Sequence, residues 1–186
     1  MIGYAFCGSF CTHSSSLAEY KKLIESGLDL QPIMSENAYS TDTKFGTAKD
    51  LRDKVESLSK RPIIHTIRDA EPFGSVTVLD ALIIAPCTGN TLAKIAHGIT
   101  DTSVTMAAKA HLRCDRPLLI ALATNDGASQ NLSNIATLLA RKSVYFVPLC
   151  QDDPRGKPHS LVADFTRLEE AFKKMKEGKQ MRPLFI

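Results

Sequence analysis

Along the 186 residues, short apolar runs alternate with segments whose apolar positions recur every three or four residues. Ile2–Cys7 reads as a first strand that ends at Gly8-Ser9. A helix is predicted next, with Ser16-Leu17-Ala18-Glu19 as a capping box, Leu17, Tyr20, Leu23 and Ile24 on one face, and Gly27 at its end. Leu28–Met34 is predicted as a second strand, Thr47–Leu58 as a charged helix, and Ile63–Thr66 as a brief third strand after Pro62. Ala81–Ala85 is continuously apolar, the pattern of a central strand buried on both faces. Helices are predicted at about Thr91–His97 and Ser103–Leu112, a fifth strand at Leu118–Ala123, a helix at Asn131–Lys142 and a sixth strand at Val144–Pro148. The last helix is predicted over about 160–177, where Leu161, Phe165, Leu168, Phe172 and Met175 repeat at helical spacing.

Strands alternating with helices predict one α/β domain over 1–186: a Rossmann-like, doubly wound, mostly parallel six-stranded sheet with helices on both faces. Right-handed crossovers give the strand order 3-2-1-4-5-6. Ligands in such sheets bind beyond the carboxyl ends of the strands, where the chain reverses direction. Gly8-Ser9-Phe10-Cys11-Thr12 and Pro86-Cys87-Thr88-Gly89-Asn90-Thr91 are therefore expected to face each other there, with Thr124-Asn125-Asp126-Gly127 at the same end.

The first loop joins a strand to a helix start and is rich in hydroxyl groups, a setting for an anion such as phosphate; the same serines also serve as ordinary helix caps. Neither G-x-x-x-x-G-K-[ST] nor G-x-G-x-x-G is present. Ser35 and Asn37 follow the second strand, flanking Glu36, so a mononucleotide fits more easily than a dinucleotide. Three loops with amide and hydroxyl groups but few charges suit a neutral heterocycle carrying one phosphate.

Composition changes this picture little. Hydrophobic residues at 44% and charged residues at 23% exclude a disordered tail or a coiled coil, and no apolar run reaches membrane-span length. Lys plus Arg exceed Asp plus Glu by only three, with both signs scattered, so no nucleic-acid or membrane partner is expected. Five cysteines on no CxxC read as small thiols in a reducing, cytoplasmic setting, and no metal site is expected.

Pro86-Cys87-Thr88-Gly89-Asn90-Thr91-Leu92-Ala93-Lys94-Ile95-Ala96-His97-Gly98 resembles the P-A-S-A-N-T-I-A-K-I-A-x-G motif of the flavoprotein family, which includes phosphopantothenoylcysteine decarboxylase and the lantibiotic peptidyl-cysteine decarboxylases. Gly8-Ser9-Phe10-Cys11-Thr12 is similar to that family's G-S-I-A-A phosphate loop. The resemblance implies FMN, held by Gly8, Ser9, Phe10, Cys11, Ser35, Asn37, Pro86, Thr88, Gly89, Asn90, Thr91, Thr124 and Asn125. It also implies a homo-oligomer, a trimer or a dodecamer built from trimers, for which the small-residue segment Thr100–Arg113 is the candidate seam; a helix pressed onto its own sheet fits that segment equally.

The decarboxylases carry P-x-M-N-x-x-M-W after strand 5, whereas this chain keeps Asn125 and lacks the Met and Trp, which argues against cysteine decarboxylation. His65 is the candidate for the family's catalytic histidine. Gln151-Asp152-Asp153-Pro154 and Lys157-Pro158-His159-Ser160-Leu161-Val162-Ala163 look like the Q-D-D-P…K-P-x-S-L-V-A segment of the branch that supplies the B subunits of dipicolinate synthases in spore-forming bacteria. That resemblance implies an oxidoreductase component working in sporulation with the A subunit of dipicolinate synthase, which carries NADPH. The two would form pyridine-2,6-dicarboxylate from a dihydro or hydroxy-tetrahydro precursor. A docking subunit without chemistry of its own is the alternative, as is an FMN-dependent decarboxylase. Lys157, Arg155, Lys109 and Arg113 are the candidate cations for a small dicarboxylate substrate.

Overall fold

A computed structural model describes residues 1–186. Five strands run parallel: β1 (Ile2–Phe6), β2 (Leu30–Met34), β3 (Ala81–Cys87), β4 (Leu118–Thr124) and β5 (Val144–Phe146). They lie in the order β2-β1-β3-β4-β5. The predicted third strand contracts to one parallel bridge between Ile64 and Ile33, at the outer edge where the order 3-2-1-4-5-6 puts it. It stops there because Thr66 turns the chain into a helix, its hydroxyl accepting from the Asp69 N–H at 3.1 Å.

The sheet has seven strands rather than six, and it is not parallel throughout. β6 (Leu149–Cys150) and β7 (Leu161–Ala163) form an antiparallel pair, and β7 joins the end of β4 at Ala123 and Thr124. β5 pairs only with Leu118–Ile120, so the longer β4 leaves its last residues open to this second partner. The helix predicted from about residue 160 is thereby corrected. Leu161, Val162 and Ala163 alternate buried, half-buried and buried as a strand does. Asp164 then caps a 3-10 turn at Phe165–Arg167, and the last helix, α8, spans Leu168–Lys176. Phe165, Leu168, Phe172 and Met175 do form the buried stripe, while Leu161 reaches the core from the strand.

The first helix is also corrected. α1 spans His13–Glu25 and starts three residues before the expected capping box. Ser16 is fully buried: its hydroxyl donates to the Ala85 carbonyl and meets the Tyr4 hydroxyl at 3.0 Å, which ties α1 to β3 and β1. Glu19 pairs with Lys22 at 2.6 Å instead of closing a box. Gly27, at φ +90°, ends the helix as predicted.

The remaining helices are α2 (Glu36–Ser40), α3 (Ala48–Ser59), α4 (Ile67–Ala70), α5 (Gly89–His97), α6 (Ser103–Leu112) and α7 (Leu132–Leu139). β3 is buried along its whole length, the central strand read from its unbroken apolar run. Ala107, Ala108 and Ala110 of α6 are buried in the chain's own core. No helix is long and apolar enough to cross a membrane.

Candidate functional site

The cleft is built where β1, β3 and β4 end. Cys7 follows β1, and its N–H donates to the Pro86 carbonyl at 3.1 Å, fastening the first loop to the end of β3. Proline has no N–H for the ladder, and the β3–β4 register shifts between Ile84 and Cys87, so the ladder is interrupted there. Beyond Gly8, Phe10–Thr12 form a 3-10 turn, with the Thr12 N–H donating to the Ser9 carbonyl at 3.0 Å. A Cβ on Gly8 would sit 3.4 Å from the Cβ of Asn37 and against the Phe10 ring.

Neither this turn nor α1 has a side-chain cap, whereas α3, α4, α5 and α6 are each capped by a threonine. The N–H groups opening into the cleft thus lack a side-chain acceptor, as do those at the starts of α7 and α8, and here they face a space where an anion can be seated. The Ser9 side chain caps neither helix and lines the same cleft.

In the second loop, the Thr88 hydroxyl accepts from the Thr91 N–H at 3.2 Å and donates to the Thr91 hydroxyl at 3.0 Å. Gly89 is required for a reason other than room for a ligand. A Cβ there would fall 2.4 Å from Thr124 Oγ1, 2.5 Å from Asn131 Nδ2 and 2.9 Å from Asp126 Oδ1. Those atoms belong to one network: the Thr124 hydroxyl and the Asn131 amide both donate to the Asp126 carboxylate, and Asn134 donates to Asn131 at 2.9 Å. The network ties the β4 loop to α7, and the α5 start packs directly on it at Gly89.

The cleft between these loops measures about 960 Å³, at the upper end of the ~300–1,000 Å³ of small-molecule sites. Gly8, Ser9, Phe10 and Cys11 line one wall; Thr88, Gly89, Asn90, Thr124 and Asn125 line the opposite one. The segment between β6 and β7 closes a third side with Lys157, His159 and Ser160. Ser35, Asn37, Pro86, Thr91 and His65 do not line it. Ser35 caps α2, Asn37 stands behind Gly8, and Thr91 is buried beneath Thr88. His65 stacks flat on Tyr39, ring centroids 3.8 Å apart, with Arg52 over the same tyrosine ring.

Electrostatics separate the thiols. Burial pushes Cys7 up to about 11 and Cys87 well above the usual thiol range, so both are protonated packing residues. Cys11 is exposed in the cleft. Burial lowers His13, whose Nε2–H donates to the Cys7 carbonyl at 2.7 Å. A hydrogen bond with Ser160, followed by one with Lys157 at 3.1 Å, holds Asp152 below the usual carboxylate range, and the same pair raises Lys157.

The Flavoprotein family model matches residues 3–170. The chain belongs to the flavoprotein family. The dipicolinate synthase B subunit of Bacillus subtilis (strain 168) is 36% identical over 185 residues, covering 100% of this chain and 92% of that protein. The crystal structure of the dipicolinate synthase B subunit from Bacillus halodurans C superposes with a TM-score of 0.91 at 39% identity, over 100% of this chain and 95% of that one. The FMN-dependent cysteine decarboxylase SpaF shares the fold, with a TM-score of 0.68 and 19% identity over 95% of each chain.

Several cleft residues come from outside the strand-end loops. Lys44 and Phe45 belong to the turn closed by Thr43 and Gly46, and Phe45 is 59% exposed at the lip. Asp126 sits in the loop after β4, yet only its contacts reveal that it anchors Thr124 and Asn131. His159 and Ser160 reach the cleft because β7 pairs with β4, a pairing that helical spacing concealed. Of the four candidate cations only Lys157 lines the cleft; Lys109 and Arg113 border a different cavity.

Proposed function

We propose that this chain is the FMN-binding B subunit of a dipicolinate synthase, working in the cytoplasm of a sporulating cell with the nicotinamide-carrying A subunit. The observation that carries the reading is the cleft where an uncapped helix start faces two exposed amides, Asn90 and Asn125, in a chain similar to such B subunits over its full length. Its five free thiols fit a reducing compartment.

The donor set fits FMN. Ser9 and the N–H groups at Phe10 and Cys11 would hold the phosphate, while Asn90 and Asn125 would hydrogen-bond the ribityl chain and ring edge. When bound, the flavin supplies reversible one- or two-electron chemistry. Phe10 and Phe45 give the cleft aromatic surface that excludes water from a planar ring. Lys157, beside Asp152, offers a cation to one carboxylate of the substrate. Loss of two electrons and two protons turns a dihydropyridine dicarboxylate into the aromatic dianion; a hydroxy-tetrahydro precursor first loses water. The oxidised nicotinamide of the A subunit, or the flavin this chain would hold, would take the two electrons with one proton, and the second proton would go to solvent.

One observation favours the docking alternative: His65 lies outside the cleft, and the carboxylates of Asp126 and Asp152 are both engaged in hydrogen bonds. The two readings separate in one assay. Dipicolinate formation by the A subunit is measured with this chain, and with this chain stripped of flavin. Turnover that needs both the chain and its flavin supports the first reading. Turnover that needs the chain alone supports docking, and turnover indifferent to the chain refutes both. A homo-oligomer, trimer or dodecamer, accompanies the proposal. Because α6 buries its alanines internally, a seam on Thr100–Arg113 would use the other side chains of that segment, and sedimentation velocity with FMN present tests assembly.

A further inference from the structure

The outward face of α6 borders a second cavity of about 240 Å³ that shares no lining residue with the cleft. Ile95, Leu112 and the half-exposed Ile99 give it an apolar floor. Lys109 on α6 and Arg113, the residue that caps its C-terminal end, both line it, and Arg141 reaches the cavity from beyond the end of α7. No acidic residue lines it. None of the three cations has a carboxylate within 4 Å, whereas Lys94 on the preceding helix is paired with Asp101 at 2.8 Å. Three like charges around one hollow repel one another, and an anion seated among them turns that repulsion into attraction. The volume equals that of about eight waters, which limits the occupant to a small molecule. The apolar floor favours an anion with a hydrocarbon or ring body over a bare inorganic ion.

We propose that this cavity is a second anion site, taking a small organic di- or tricarboxylate independently of the flavin cleft. Calorimetric titration of the full chain with citrate at low and high salt tests it, with inorganic phosphate as the second arm. One citrate per chain is expected, with affinity falling as salt rises. Arg113→Gln and Arg141→Gln should each weaken citrate about tenfold, through loss of one charged hydrogen bond. Lys157→Gln, in the cleft, should leave citrate binding unchanged. Phosphate should bind more weakly than citrate. The site is refuted by no citrate uptake, by uptake indifferent to Arg113→Gln and Arg141→Gln, or by uptake lost with Lys157→Gln. Phosphate binding as tight as citrate overturns the organic part of the assignment. If either arginine variant changes the oligomeric state without citrate, the face is a contact between copies and the proposal falls.

Discussion

Replacing Gly89 with alanine inserts one methyl group where the structure leaves no room. The new Cβ would lie 2.4 to 2.9 Å from Thr124 Oγ1, Asn131 Nδ2 and Asp126 Oδ1. None of these atoms is the loose end of a flexible chain. Asn131 donates to both Asp126 oxygens at 2.9 Å, and Thr124 donates to the same carboxylate. Relief therefore requires either α5 to move away from β4 or the network to break. Breaking one hydrogen bond to a charged group costs about 1.5–3 kcal/mol, and overpacking alone costs about 1–3 kcal/mol. Alanine returns at most about 1 kcal/mol of helix propensity at this first helical position. The net expectation is a loss of about 2 kcal/mol, which for a chain of this size lowers Tm by roughly 4–8 °C. The same displacement moves Asn90 relative to Ser9, so FMN affinity should fall as well. Thermal melting followed by circular dichroism, together with a flavin-fluorescence titration, measures both effects. Tm within a degree of wild type and an unchanged flavin Kd would refute the claim that this network sets the α5 start.

Asn90→Ala, which removes an exposed amide, should leave Tm near wild type yet weaken FMN about 5- to 150-fold; an unchanged Kd removes Asn90 from the site. His13 and His111 are both lowered from 6.5 by burial, so the unfolded chain binds protons more readily than the folded one. Stability from these residues is complete above the ordinary histidine pKa and is lost as pH falls below it toward the folded values. Melting temperatures should thus drop between about pH 7 and pH 5, and drop less in a His13→Gln, His111→Gln double variant. Iodoacetamide should label Cys11 in the native chain and spare Cys7 and Cys87 until unfolding, and bound FMN should slow the labelling of Cys11. Labelling of Cys7 at the rate of Cys11 would contradict the burial that raises it.

The sheet and its order were legible because they rest on local pattern and on handedness. An unbroken apolar run such as Ala81–Ala85 has to be central, and right-handed crossovers leave few arrangements for strands that alternate with helices. The three loops of the cleft followed from that topology, which is why Gly8, Ser9, Asn90 and Asn125 are found together. Tertiary structure decided what depends on partners distant in the chain. Ser16-x-x-Glu19 has the local chemistry of a capping box, but a buried hydroxyl must find a partner, and Ala85 sixty-nine residues away supplies one. Leu161 and Phe165 have helical spacing, but the free end of β4 offers ladder hydrogen bonds that a helix start there would forgo. Gly89 is explained by Asp126, Thr124 and Asn131, and no spacing along the chain encodes that approach. Periodicity records which side of an element faces the core; which atom meets which is settled only when the elements pack.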